Sequence, residues 1–158
     1  MGAAEMTDRL ETLEDWAAGL LGQLEPAARN KLARSVGRAL RRSQQRRILA
    51  QQNPDGSRYA PRKQRNLRGK RGRVKRKVKM FQKLRTASFL QMHGDSNAIS
   101  VGFTGRVARI AKVHQHGLKD RAEPTAPDTT YQSRALLGFT EMDLDLIRDS
   151  LLHHFMFP

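Results

Sequence analysis

Cysteine is absent, which removes disulfide scaffolds, thiolate zinc centres and cysteine nucleophiles together. That composition suits a chain that folds in a reducing cytoplasm. No apolar run approaches the roughly 18 residues that a membrane span requires. The first residues also lack the short apolar stretch of a secretory signal, so neither spanning nor export by that route is expected. Acid is missing from one long stretch: no Asp or Glu lies between Asp55 and Asp95. Aromatic side chains are scarce there too, with Tyr59 ahead of the most basic part and Phe81 just after it. A protein that reads single-stranded bases interleaves more rings than this with its cations.

What is present is cationic. The chain has 158 residues, 30 of them Lys or Arg against 15 Asp or Glu, a net charge of +15. One domain is the default at this length, and such a domain buries roughly 70% of its extended surface. The charge is segregated: residues 1–25 carry −5, residues 26–120 carry +23 and residues 121–158 carry −3. A basic centre between acidic ends points to a polyanion, or to complementary protein surfaces that stack in a defined order.

The spacing of Leu10, Leu13, Ala17, Leu20, Leu21 and Leu24 predicts an amphipathic helix over 8–21, with Asp8 as N-cap and Glu11 completing a capping box. Pro26 suits the first position of a second helix, which runs to about Gln52. Leu32, Val36, Ala39 or Leu40, and Ile48 mark its apolar side; Arg34, Arg38, Arg41, Arg42, Arg46 and Arg47 crowd the rest. The two helices are expected to form a hairpin. Asn53-Pro54-Asp55-Gly56 is a turn, because proline presets φ and glycine accepts positive φ. Residues 58–79 then hold 12 basic residues in 22. Self-repulsion, with Gly69 and Gly72, makes that stretch an expected exposed arm or long hairpin that orders on a partner.

Met80–Ala87 reads as a short helix, Phe89–Met92 and Ala98–Phe103 as half-buried strands, and Gly94–Asn97 as their hairpin loop. Val107–His114 reads as a helix stopped by Gly117, and 121–130 as a loop. Thr140 opens a last helix carrying Leu144, Ile147, Leu151 and Phe155. Helices first and a small antiparallel sheet later make the class α+β. The whole is a single domain over 1–158: a helical hairpin (1–52), a turn and basic arm (53–79), then sheet and helices (80–158).

Catalysis finds little support. His114 and His116 are two residues apart at a helix end, where i and i+2 diverge. A metal-dependent nuclease built on them is the weakest of the readings considered. Glu141, Asp143, Asp145 and Asp149 read as a solvated stripe rather than an enclosed acid/base pair. No phosphate-loop, dinucleotide or serine-hydrolase motif occurs. The expectation is of no catalytic residues, no metal and no cofactor.

Four blocks in one order carry a resemblance. They are Ile48–Lys63 around the Pro54-Asp55-Gly56 turn; Gly72-Arg73-Val74-Lys75 leading into Met80–Arg85; Gly105–Asp120; and Arg134-Ala135-Leu136-Leu137-Gly138-Phe139. Together they resemble the phage virion-morphogenesis family, the tail-completion (gpS-like) proteins of contractile-tailed temperate bacteriophages. The likeness runs from about residue 5 to the end.

The resemblance implies a structural virion protein assembled in the bacterial host cytoplasm. It implies a six-fold ring of copies at the head-proximal end of a tail, where head joins tail. Implied partners are the chain itself, tail tube and sheath proteins, head-neck connector proteins and DNA in the tail channel, with no membrane. Arg68, Lys70, Arg71, Arg73, Lys75, Arg76, Lys77 and Lys79 are the candidate contacts to DNA or a neighbouring subunit. Pro54, Asp55 and Gly56 are assigned to the turn that launches the arm. Leu137, Gly138 and Phe139 are assigned to packing the sheet against the last helix. The alternative is an RNA- or DNA-binding module that uses the same arm.

Overall fold

The computed structural model describes residues 3–62, 79–121 and 124–157. The middle of the chain between residues 62 and 79 lies outside it, and with it most of the basic arm. Among the described residues no helix is long and apolar enough to cross a membrane.

Helix α2 (Pro26–Ala50) is the element on which the rest is assembled. Proline occupies its first turn, and Gln51 closes it in the left-handed conformation, its amide bonding back to the Arg47 and Ile48 carbonyls. One face meets α4 (Glu141–Met156) and another meets a two-stranded sheet of β1 (Leu90–Gly94) and β2 (Ile99–Phe103). Close approach to the sheet depends on Gly37: a Cβ there would sit 2.6 Å from Met92 Cγ and 3.1 Å from Ile99 Cγ2. The strands are antiparallel, Leu90 opposite Phe103 and Gly94 opposite Ile99. Asp95 builds the loop, its Oδ1 accepting from the Asn97 and Ala98 amides at 2.8 and 2.9 Å.

Helix α1 (Ala3–Leu21) begins five residues before the expected cap. Asp8 therefore lies inside the helix, where its carbonyl accepts from Thr12 Oγ1 at 2.8 Å. Helix α4 packs on both α1 and α2, so the N-terminal pair is completed by the last element of the chain. Ala17, Leu32, Val36, Leu40 and Leu151 form the core of this helical layer. A second core of Tyr59, Ala111 and Leu136 lies under helix α3 (Val107–His116) and takes in Phe81, Leu84 and Phe103. Gly117 stops α3 at φ +65°. A short ladder, β3 (Lys119–Asp120) with β4 (Thr129–Thr130), borders the expected 121–130 loop.

Three expectations change. Residues 80–88 form successive turns rather than a helix, because Phe81 adopts φ +63° and breaks the right-handed path where its ring enters the second core. Leu137, Gly138 and Phe139, expected as a core or strand motif, belong to a segment, residues 131–139, that forms no strand. Asp143 is not on a solvated stripe but is 1% exposed. It is the reciprocal half of a capping box: the Thr140 amide donates to Asp143 Oδ2 at 2.9 Å, and the Asp143 amide to Thr140 Oγ1 at 3.2 Å.

Candidate functional site

Two blocks about 80 residues apart in sequence meet beside the start of α4. The first is the turn after α2. The Gly56 amide donates to the Asn53 carbonyl at 3.0 Å, and Gly56 takes φ +83°. Asp55 Oδ1 accepts from the Ser57 hydroxyl at 2.6 Å and the Ser57 amide at 2.8 Å. Those bonds hold the Asp55 carboxyl below the ordinary carboxylate range. A bridge between Gln52 and Arg58 folds the chain back on itself. Asn53 Oδ1 then accepts from the Ala135 amide at 2.8 Å, which docks the turn on the second block.

The second block is the extended run through residues 134–139. Among the described residues no strand pairs with it, so its polar backbone is satisfied in another way. Side chains do this. Gln115 clasps Leu137 on both sides, accepting from its amide and donating to its carbonyl at 2.9 Å each. The Gly138 amide donates to Gln44 Oε1 at 3.3 Å. Arg47 fans its guanidinium across the Ala135, Leu136 and Gly138 carbonyls at 3.0, 3.3 and 3.3 Å, and donates to Gln44 Oε1 as well. Arg134 reaches the other way, to the Ala60 and Pro61 carbonyls at 2.7 and 2.9 Å.

Both arginines are buried. Burial pulls the pKa of each down; for Arg47, nearby Tyr59 and Asp143 push the other way. Tyr59, 6% exposed with its hydroxyl 3.4 Å from the Ala135 carbonyl, is pushed up to about 12 by the same desolvation.

The Leu137-Gly138-Phe139 motif lies in this run, between the turn, α3 and the start of α4. Leu137 is held by α3 through Gln115. Gly138, at φ +155°, lies against the turn, and a Cβ on it would come within 2.6 Å of Pro54 Cγ. Phe139 is 37% exposed. It lines an open groove of about 930 Å³ with Pro54, Gly56, Met142 and Met6 of α1. The Arg9–Glu141 ion pair stands at the same place and ties α1 to the first turn of α4.

The basic candidates fare unevenly. Arg68, Lys70, Arg71, Arg73, Lys75, Arg76 and Lys77 lie outside the described residues. Lys79 is described; its ammonium donates to the Leu49 carbonyl at 3.1 Å, a cation placed on the C-terminal turn of α2. His114 and His116 do not converge. The His114 ring stacks edge-on with Phe81 and Tyr131, centroids 4.9 Å from each, while His116 is exposed. Desolvation first, then Arg134 and Arg62, push the His114 pKa down. Among the described residues no group of three or more His, Cys, Asp or Glu is placed to hold a metal.

Arg47 and Gln44 were the residues missed by reading α2 as one apolar side and one arginine side. The signal was there: the spacing Val36, Leu40, Gln44, Arg47 continues the apolar stripe with two polar residues. A polar residue on such a stripe is buried and needs partners.

The arrangement is a scaffold in which side-chain amides and a guanidinium fix one segment between three helices. The model of the phage virion morphogenesis family matches residues 8–156, and the chain belongs to that family. Tail completion protein S of Escherichia phage P2 is 41% identical over 148 residues, which cover 93% of this chain and 97% of that protein. No solved structure matches.

Proposed function

We propose that the chain is a structural subunit that completes a phage tail: copies close a ring around the tube axis at the head-proximal end and make the tail competent to join a head. The observation that carries this is near end-to-end similarity to a protein named for tail completion, 41% identical over 93% of the chain. A subunit that ends a tube meets identical neighbours through heterologous contacts, which close when the rotation between copies divides a full turn. Six copies is the number proposed, with tube, sheath and neck proteins as the other partners. The arm is proposed to order on assembly, against a neighbour or along the DNA passage.

Deleting the gene in its phage background tests the reading. Heads and tails should then accumulate separately, and added purified protein should restore joining. Infectious particles from the deletion strain would overturn it. Reversing Arg73, Lys75 and Arg76 to Glu should leave a folded protein that fails in the same joining assay. A module that instead binds free duplex or RNA as a monomer would show a steep log-salt slope in titration.

A further inference from the structure

The face of α2 turned away from the core carries Arg34, Arg38, Arg42 and Arg46, each exposed, at steps of four residues. The stripe spans about 18 Å of helix. Among the described residues none of the four forms an ion pair. At its C-terminal end Arg42 and Arg46 join Arg85, Gln45 and Leu49 around a groove of about 330 Å³. Leu49, 38% exposed, gives that groove an apolar point.

Helix α1 carries the opposite surface. Glu5, Asp8, Glu11, Glu14 and Asp15 are exposed on the side away from Leu13 and Ala17. They span about 15 Å of helix. None of them pairs with a cation among the described residues. Trp16, 40% exposed, flanks them.

We propose that the arginine face of α2 receives the acidic face of α1 from a second copy of this chain, Trp16 and the Leu49 groove supplying the apolar contact beside the charges. Charge complementarity selects the occupant: two unpaired stripes of opposite sign and similar length, on separate helices, do not meet within one chain. A contact between unlike faces is heterologous, so after each contact one copy keeps its acidic face and the other its basic face for the next. Opposed fields of this kind set register and suppress the reverse pairing. The basic face among the described residues carries no aromatic ring for base stacking, which disfavours a single strand as its occupant. The inference rests on the ring reading only for where the contact is used.

The absence of native cysteine supplies the test. Single-cysteine variants Glu11→Cys and Arg38→Cys of the full chain, each a surface change, are mixed under mild oxidation at low salt. The expected result is a mixed disulfide forming at least about tenfold faster than either variant couples with itself, and slowed as salt screens the stripes. The double reversal Arg38→Glu with Arg42→Glu should weaken self-association in sedimentation by at least about tenfold, and Glu11→Arg with Asp15→Arg in the same chain should restore it. Equal self-coupling, no coupling, or a reversal that abolishes duplex DNA binding without rescue by the α1 changes would overturn the proposal. These readouts need no phage particle. Coupling without tail completion would therefore fail the functional reading alone, and completion without coupling would fail this contact alone.

Discussion

Replacing Arg47 by Met removes the donor that holds the 134–139 segment on α2. Three carbonyls, those of Ala135, Leu136 and Gly138, lose a charged partner at 3.0 to 3.3 Å. A buried group left unsatisfied costs about 1–3 kcal/mol, and the lower figure suits a set of which two bonds, to Ala135 and Gly138, are only part-buried, giving about 3 kcal/mol in all. Methionine fills much of the same volume and carries no charge to desolvate, which returns on the order of 1 kcal/mol. The expected net loss is about 2 kcal/mol, a fall of roughly 4–8 °C in melting temperature for a chain of this size. Urea unfolding with tryptophan fluorescence and circular dichroism measures it, through a lower midpoint at unchanged slope. Arg46→Met is the control, one residue earlier but exposed, and is expected within about 0.5 kcal/mol of the parent. If the two substitutions proved indistinguishable, the guanidinium fan would not be what fixes this segment.

Gly138→Ala drives a Cβ against the rigid Pro54 ring at 2.6 Å and should cost about 2–4 kcal/mol. Gly37→Ala meets Met92 Cγ and Sδ at 2.6 and 2.7 Å, atoms of an unbranched side chain that can shift, and Ile99 Cγ2 at 3.1 Å, and should cost less, about 1–2 kcal/mol; the order of the two in urea melts is the check. Thr140→Ala removes one half of the α4 cap and should cost about 1 kcal/mol, with Thr140→Ser close to the parent. Alkali should unfold the protein through Tyr59. Its folded pKa lies at about 12, above the ordinary 10, so its stabilisation is full below pH 10 and is lost as the pH rises toward 12. Tyr59→Phe should flatten that limb of the stability profile. His114 acts at the other end: its pKa is depressed, so its contribution is present above about pH 6.5 and is lost as the pH falls through the lower folded value. A His114→Gln variant whose acid limb matched the parent would remove that assignment.

What could be read from the sequence is what depends on residues within a few positions of one another. Pro26 starts α2, Gly117 ends α3, Asp95 turns the β1–β2 hairpin and Thr140 opens α4, because a fixed φ, a missing Cβ or a short polar side chain acts on its own neighbourhood. The Pro54–Gly56 turn and the Leu137-Gly138-Phe139 run were recognisable as separate blocks in the same way, and four blocks in order pointed to the family. Tertiary structure alone decided that the two blocks meet. The polarity of Arg47 and Asp143 suggests solvent, yet each is buried; partners for Arg47 lie up to 91 residues away, and Asp143 closes a box with Thr140 inside the folded layer. Residues 80–88 lose helix to turns because Phe81 is drawn into a core completed by Tyr59 and Leu136. Residues 134–139 stay extended without a sheet because Gln44, Arg47 and Gln115 supply the bonds a strand would have made. Local chemistry sets where elements start and stop, but whether a polar group is buried depends on which distant atoms arrive to satisfy it, and only folding brings them there.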